Sequence, residues 1–316
     1  MEEEVTHVIE TAQGIVLLTL QSEDENDAPI GGLLLIDAND EQETAREILT
    51  TNETLSALWC SPAGHLWVGC ADGRVATTAP VGWAAPSRQA DYRAHNGSRG
   101  WTVATLPVDS LEGLPPNILK IHGSGDDDVH VGTHGGHLYH WNGKAWRQTH
   151  QGDGTAYQSI VDIKGHGRDS VFAIGTRDMI LHFDGAQWRK LPTPGSPNEG
   201  ESFGGIALLT DGSVLICSAG DEGRLLHGGA SGFIEFGRYP LQLNDVVTLG
   251  DRVLFAIWDG VAELVGRDVQ VIKSNFLTAH AFEGRGRVFF TEPANPGIHF
   301  IVHDPAASPP WKRRNY

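Results

Sequence analysis

Five histidines, His122, His130, His134, His137 and His140, crowd into one short stretch of the chain. Imidazoles hold zinc, copper or nickel when three converge on one point. In an extended chain side chains alternate between faces, so His137 and His140, an odd number of residues apart, face opposite sides. If Gly135-Gly136 is a two-residue turn, His134 and His137 flank it as a cross-strand pair and make a two-ligand surface site at most. No metal or other cofactor is expected beyond that pair. His140 recurs as His182 in a second copy of the surrounding phrase, and this reads as a structural histidine that packs against or donates to the neighbouring repeat.

Other chemistry has few foundations. There is no GxSxG and no GxxxxGK[ST], and the near-misses "GSGDDD", "GHGRDS" and "GRGRVF" lack the final glycine of a phosphate cradle. The acidic runs Ser22 to Pro29, Asp37 to Glu43 and Asp126-Asp127-Asp128 lack the alternating frame that wraps calcium. They read as solvated turns, or as a docking face for a basic protein. Cys60, Cys70 and Cys217 are odd in number and without CxxC spacing, so neither a disulfide framework nor a zinc knuckle is implied.

Composition sets the frame for these residues. A chain of 316 residues with a formal charge of −17 opposes contact with phosphate backbones or anionic lipid, so neither nucleic acid nor membrane is expected as a partner. The start "MEEEVTHVIE" lacks the basic and apolar regions of a signal peptide, and no apolar run approaches the roughly twenty residues that span a bilayer. A cytoplasmic monomer is expected. The 39 glycines, 16 prolines and nine tryptophans suit short strands and tight turns.

"HLYHWNGKAWRQ" and "ILHFDGAQWRKL" are nearly the same phrase, with Trp146 and Trp188 standing 42 positions apart. Around each copy lie an alternating apolar run, a Gly/Asp turn, a run ending Gly-Thr, a further turn, a third run, then Asn/Asp-Gly and a Trp-led fourth run. Four short antiparallel strands per repeat of about 42 residues is the signature of a propeller blade. The Trp position recurs at Arg46, Trp101, Phe233, Val269 and Trp311, which predicts an all-β, single-domain propeller over residues 1–316. Seven four-stranded blades fit, with six or eight as alternatives. One interval is long, which places an inserted loop at about residues 79–98 between the third and fourth strands of blade two; its Pro, Gly and Ser content argues against regular structure. Blades built from consecutive residues would close the ring by side-chain packing alone, between "VTHVIETAQ" and "PPWKRRN".

These motifs resemble those of bacterial seven-bladed β-propellers, loosely akin to kelch and WD40 repeats. The Gly-His and Trp-Asp pairs of true WD40 units are absent at the expected spacing, and Trp258-Asp259 is an isolated occurrence. Fold does not supply function. The reading favoured by charge and by missing catalytic signatures is a non-catalytic module that grips a basic protein, in character similar to bacterial immunity proteins that neutralise a toxin by occlusion. Alternatives are a scaffold or assembly factor with several partners, and a propeller enzyme with its site at the central channel. Candidate contact residues are Asp72, Arg177, Asp178, Asp221, Glu222 and Asp259 in turns between second and third strands, together with "SEDEND" in blade one. Trp83, Tyr92 and Arg93 of the insertion are candidates for a second contact, or for packing on the blade edge.

Overall fold

The computed structural model describes all residues except 1, 23–29, 38–43, 84–91, 95–99, 108–115, 154, 156, 196–200 and 293–296. Among the described residues every regular element is a strand, and the strands form seven antiparallel sheets. Each sheet is a blade whose first strand lies at the centre of the ring: Glu2–Glu10, Leu55–Cys60, Ile118–Gly125, Ile160–Gly167, Phe203–Leu208, Leu243–Leu249 and Ala281–Glu283. The outermost strands begin where the repeated Trp position predicts. Trp146, Trp188 and Trp311 open theirs, Trp101 immediately precedes Thr102–Thr105, and Arg46, Phe233 and Val269 stand second in theirs.

Alternating apolar positions on two-faced strands give each blade two apolar faces, so the core divides into seven clusters, one between each pair of neighbouring blades. The outer aromatic packs against the preceding blade. Trp188 joins Leu138 of blade three in one cluster and donates its Nε1 proton to Thr149 Oγ1 at 3.2 Å, while Trp101 packs with Leu33 and Leu49 of blade one. The glycines near the end of the second strand in blades two and three are fixed by the following blade: a Cβ on Gly69 would overlap Ile118, and one on Gly132 would overlap Ile160.

Five of the innermost strands carry a register shift between their first and third residues, as between Ile160 and Asp162 or Leu243 and Asp245, and Glu2–Glu10 carries one between Val5 and His7. Such bulges re-aim side chains. Here they turn two carboxylates into staples: Asp162 Oδ2 accepts the Ile206 N–H of the next blade at 3.1 Å, and Asp245 Oδ2 accepts that of Ala281 at 3.1 Å.

Blades one and seven each close on their own strands, since Trp311–Asn315 pairs with His299–His303 and not with blade one. The seam is an apolar cluster of Val5, Val8, Leu17, Phe289 and Phe300, with Tyr316 stacked on Phe300 at 6.0 Å. A single parallel bridge, Glu4 to Gly297, adds to it.

The insertion departs from expectation. Within it Tyr92–Ala94 forms a strand, and that strand pairs with Leu49–Thr51 as a fifth strand of blade one. An exposed outer strand offers unpaired backbone groups whatever the local composition, and this segment satisfies them.

Candidate partner-binding face

Because successive strands are antiparallel, the turns from second to third strand share one end of the ring with the connections from each outer strand to the next innermost strand. Asp72, Arg177, Asp178, Asp221, Glu222 and Asp259 all lie at that end. Their environments differ. Asp72 is engaged by Arg74, which also pairs with Glu53 at 2.7 Å, so its charge is largely spent within the chain. Asp221, Glu222 and Asp259 are exposed. Behind the first two, Arg224 is 1% exposed and holds Glu201 at 2.7 Å, Glu235 at 2.9 Å and the Pro194 carbonyl at 2.8 Å, which pins the blade-five rim to its neighbour.

Arg177 and Asp178 occupy left-handed backbone, at φ 60° and 56°. Blade three places Gly135 and Gly136, at φ 79° and 74°, in the corresponding turn. L residues resist this conformation, by roughly 1–2 kcal/mol each. The turn is held by Asp178 N–H donating to the Glu201 carbonyl at 2.9 Å and by Arg177 Nη1 at 3.4 Å from Asp153.

Exposed apolar residues on the same face, Tyr157, Trp258 and Leu277 among them, escaped the sequence reading. Trp258 is 59% exposed at the tip of the blade-six turn, directly before Asp259. Beneath it the fully buried Thr278 points its hydroxyl at two carbonyls, Ile257 O and Gly260 O, each at 2.7 Å. The tip is thus locked while its indole stays in solvent, and an indole so placed is a ready anchor for a protein partner. The signal was present in the sequence, since Trp258-Asp259 falls in a second-to-third-strand turn.

The insertion's residues lie elsewhere. Trp83 is half-buried in an aromatic group between blades two and three, 5.5 Å from Trp67 and 5.0 Å from Trp141, both edge-on. Arg93 is exposed on the added strand, and the side chain of Tyr92 lies outside the described residues. "SEDEND" also lies outside them.

The central channel, a cavity of about 160 Å³, carries charge on the wall formed by blades three, four, six and seven. Lys120 stands 3.7 Å from Asp162, and Lys164 stands 3.6 Å from Glu283. Burial opposes charging of Lys164, but Glu283 and Asp162 outweigh it and its pKa is raised; Glu283 is lowered in turn by Lys164 against its own burial. His122 is pushed down to about 4, chiefly by burial, and its Nε2 accepts the Gly165 N–H at 3.0 Å. Lys120 and His122 are thus committed to the neighbouring blade four, whereas the Lys164–Glu283 pair reaches across the channel from blade four to blade seven.

The expected pairing of His134 with His137 needs correction. The observed register pairs Gly132 with Leu138 and His130 with His140, one residue away from a two-residue Gly-Gly turn. His134 Nδ1 lies 2.7 Å from Ser159 Oγ of blade four, and His137 Nδ1 accepts the Gly152 N–H at 3.1 Å. The repeated-histidine reading holds for the packing of His140, which meets Phe183 of blade four edge-on at 5.7 Å, while the hydrogen-bonding contacts, His140 with Asp128 and His182 at 3.5 Å from Ser170 Oγ, stay within each blade. The Asp126-Asp127-Asp128 run is not simply a solvated turn. Asp126 accepts the Trp67 indole N–H at 3.0 Å from blade two, Asp127 pairs with Arg168 of blade four, and Asp128 is buried.

No protein-family model matches the sequence, and no curated protein is significantly similar to it. Solved structures do match in shape. YCF48 from Cyanidioschyzon merolae is 13% identical with a TM-score of 0.64, and 96% of each chain is covered. YCF48 bound to D1 peptide is 14% identical at 0.56, with 83% of this chain and 81% of the other covered. The WD40 propeller domain of Doa1 is 12% identical at 0.60, covering 95% and 96%. An extracellular domain from B. thetaiotaomicron is 10% identical at 0.59; 92% of this chain matches 37% of that longer one. Identities this low establish a shared propeller fold and nothing finer.

Proposed function

We propose that this propeller is a non-catalytic binding module that grips a basic protein segment on the face carrying Trp258. The observation that carries the reading is the Trp258-Asp259 tip: an indole held in water by the buried Thr278 clamp, beside a carboxylate. Asp221 and Glu222 add exposed negative charge on the adjacent blade, within a chain of net charge −17. The indole supplies desolvated contact area and the acids steer a cationic partner. A propeller of similar shape, YCF48, has been seen bound to D1 peptide. The more specific form of the reading is a cytoplasmic monomer that occludes a single toxin, as immunity proteins do.

The test is a paired capture from the native host with wild-type and Trp258→Ala protein, followed by binding kinetics with the purified partner. The reading predicts one dominant partner, lost with Trp258→Ala, whose association slows as salt rises. Several partners in comparable amounts would replace occlusion with scaffolding. A partner retained in full by Trp258→Ala, or an association rate indifferent to salt, overturns the assignment of this face.

A further inference from the structure

Asp128 and His130 stand two residues apart on one strand of blade three, and so project from one face of the sheet. The antiparallel register sets His140 directly opposite His130. The two imidazoles stack with centroids 4.3 Å apart and planes 4° from parallel. His140 Nε2 is 2.7 Å from Asp128 Oδ1 and His130 Nε2 is 3.9 Å from the same oxygen; the three donor atoms lie within 4.8 Å of one another. The other carboxylate oxygen is fixed by Ser124 Oγ at 2.5 Å.

His130 is fully buried, and neither of its ring nitrogens has a hydrogen-bond partner. Among the described residues it is the one histidine of which both statements hold. Phe183 at 5.0 Å and Trp188 at 5.6 Å, both of blade four, wall it in. A buried polar group without a partner is destabilising, because it has given up its hydrogen bonds to water and gained none. The fold does not demand that cost. The same slots of blade four hold Ser170, Phe172 and His182, with Phe172 paired to His182 as His130 is to His140. Blade three therefore departs from its neighbour at two positions, and each change adds a metal-ligating group.

We propose that Asp128, His130 and His140 form a binding site for one divalent transition-metal ion of the zinc class. Two imidazoles and a carboxylate suit such an ion, with water as the remaining ligand. The opening is beside His140, whose side chain is 17% exposed, whereas those of Asp128 and His130 are 3% and 0% exposed. Ligand bonds of about 2.0–2.2 Å place donor atoms roughly 3.3 Å apart. Closure on the ion thus lengthens the His140–Asp128 contact, shortens the His130–Asp128 one and tilts the stacked rings towards each other. The proton that His140 Nε2 shares with Asp128 moves to Nδ1, so the ring stays neutral and its Nε2 lone pair faces the ion. Ser124 keeps the carboxylate oriented throughout.

Chelator-stripped protein titrated with Zn²⁺, and separately with Co²⁺ read by its visible absorption, tests the site. Wild type should take up one equivalent at micromolar concentration, with a rise in the thermal midpoint. His130→Phe and Asp128→Ser, which copy blade four, should weaken binding at least ~100-fold, as loss of one ligand in three implies. His134→Gln with His137→Gln should leave it unchanged. If a blade-three variant does not fold, the ring resonances of His130 and His140 in wild type decide: both should shift with the first equivalent. The proposal is overturned if wild type binds no stoichiometric ion, if His130→Phe binds as tightly, if the His134/His137 pair abolishes binding, or if those resonances stay put.

Discussion

Arg287 of blade seven and Glu10 of blade one meet across the closing seam, with Nη2 2.7 Å from Oε1 and Nε 3.3 Å from Oε2. The Arg285 backbone N–H donates to the same Oε2 at 2.7 Å. Among the described residues no strand is exchanged at this seam, so one half-buried forked pair does part of the work that a shared strand performs in other rings.

Glu10→Gln should therefore lower the stability of the whole ring by about 2 kcal/mol, the scale of a charge-assisted hydrogen bond lost from a partly buried site. Hydrogen exchange should quicken first in Glu2–Glu10 and Ala281–Glu283. Loss of protection spread evenly over all blades would show that the seam is no weaker than the other interfaces.

Trp188 and Trp258 should behave as opposites. Trp188 is 8% exposed and wedged between blades three and four, so Trp188→Ala should cost ~3–5 kcal/mol in urea unfolding. Trp258, 59% exposed, should change stability by less than about 0.5 kcal/mol on replacement by Ala while abolishing partner capture. A large stability loss at Trp258 would reassign it to the core.

His122 predicts an acid-side loss of stability. In the unfolded chain an imidazole titrates near 6.5; in the fold burial holds His122 at about 4. Between those values the unfolded chain binds more protons, so this group's contribution is complete above about pH 6.5 and is lost as pH falls towards 4. His122→Gln should give a shallower decline across that window. An unchanged slope would transfer the effect to other groups.

Arg177→Gly should relieve left-handed strain and lose only an exposed ion pair with Asp153, raising stability by up to ~1 kcal/mol. The same change should weaken partner association if the strained turn exists to present that guanidinium. Chemical denaturation and association rates separate the two effects. A less stable Arg177→Gly protein would mean that the turn holds the blade rather than the partner.

The fold was legible because a propeller repeats its chemistry. Asn/Asp-Gly turns and outer aromatics such as Trp146 and Trp188 recur in blades three and four at the same local geometry, so their spacing sets the repeat length from which the other strand starts, and a count of about seven blades, can be read. The rim was partly legible for the same reason: a turn between second and third strands must lie at one end, which located Asp221, Glu222 and Asp259.

Contacts between blades were not legible, because nothing in a local pattern says which neighbour a side chain will meet. Asp126, Asp127 and Asp128 look alike in sequence, yet one reaches blade two, one blade four and one is buried. Tyr92–Ala94, expected as loop, is a strand because blade one had an edge to fill. The histidines show the limit most clearly. A turn read as two residues pairs His134 with His137, and the observed register, one residue different, pairs His130 with His140 instead. Side chains alternate with a period of two, so a shift of one residue exchanges every partner across the hairpin. Residue types and spacing determined that blade three is rich in imidazole; only the observed register decided which imidazoles meet and leaves His130 buried beside Asp128.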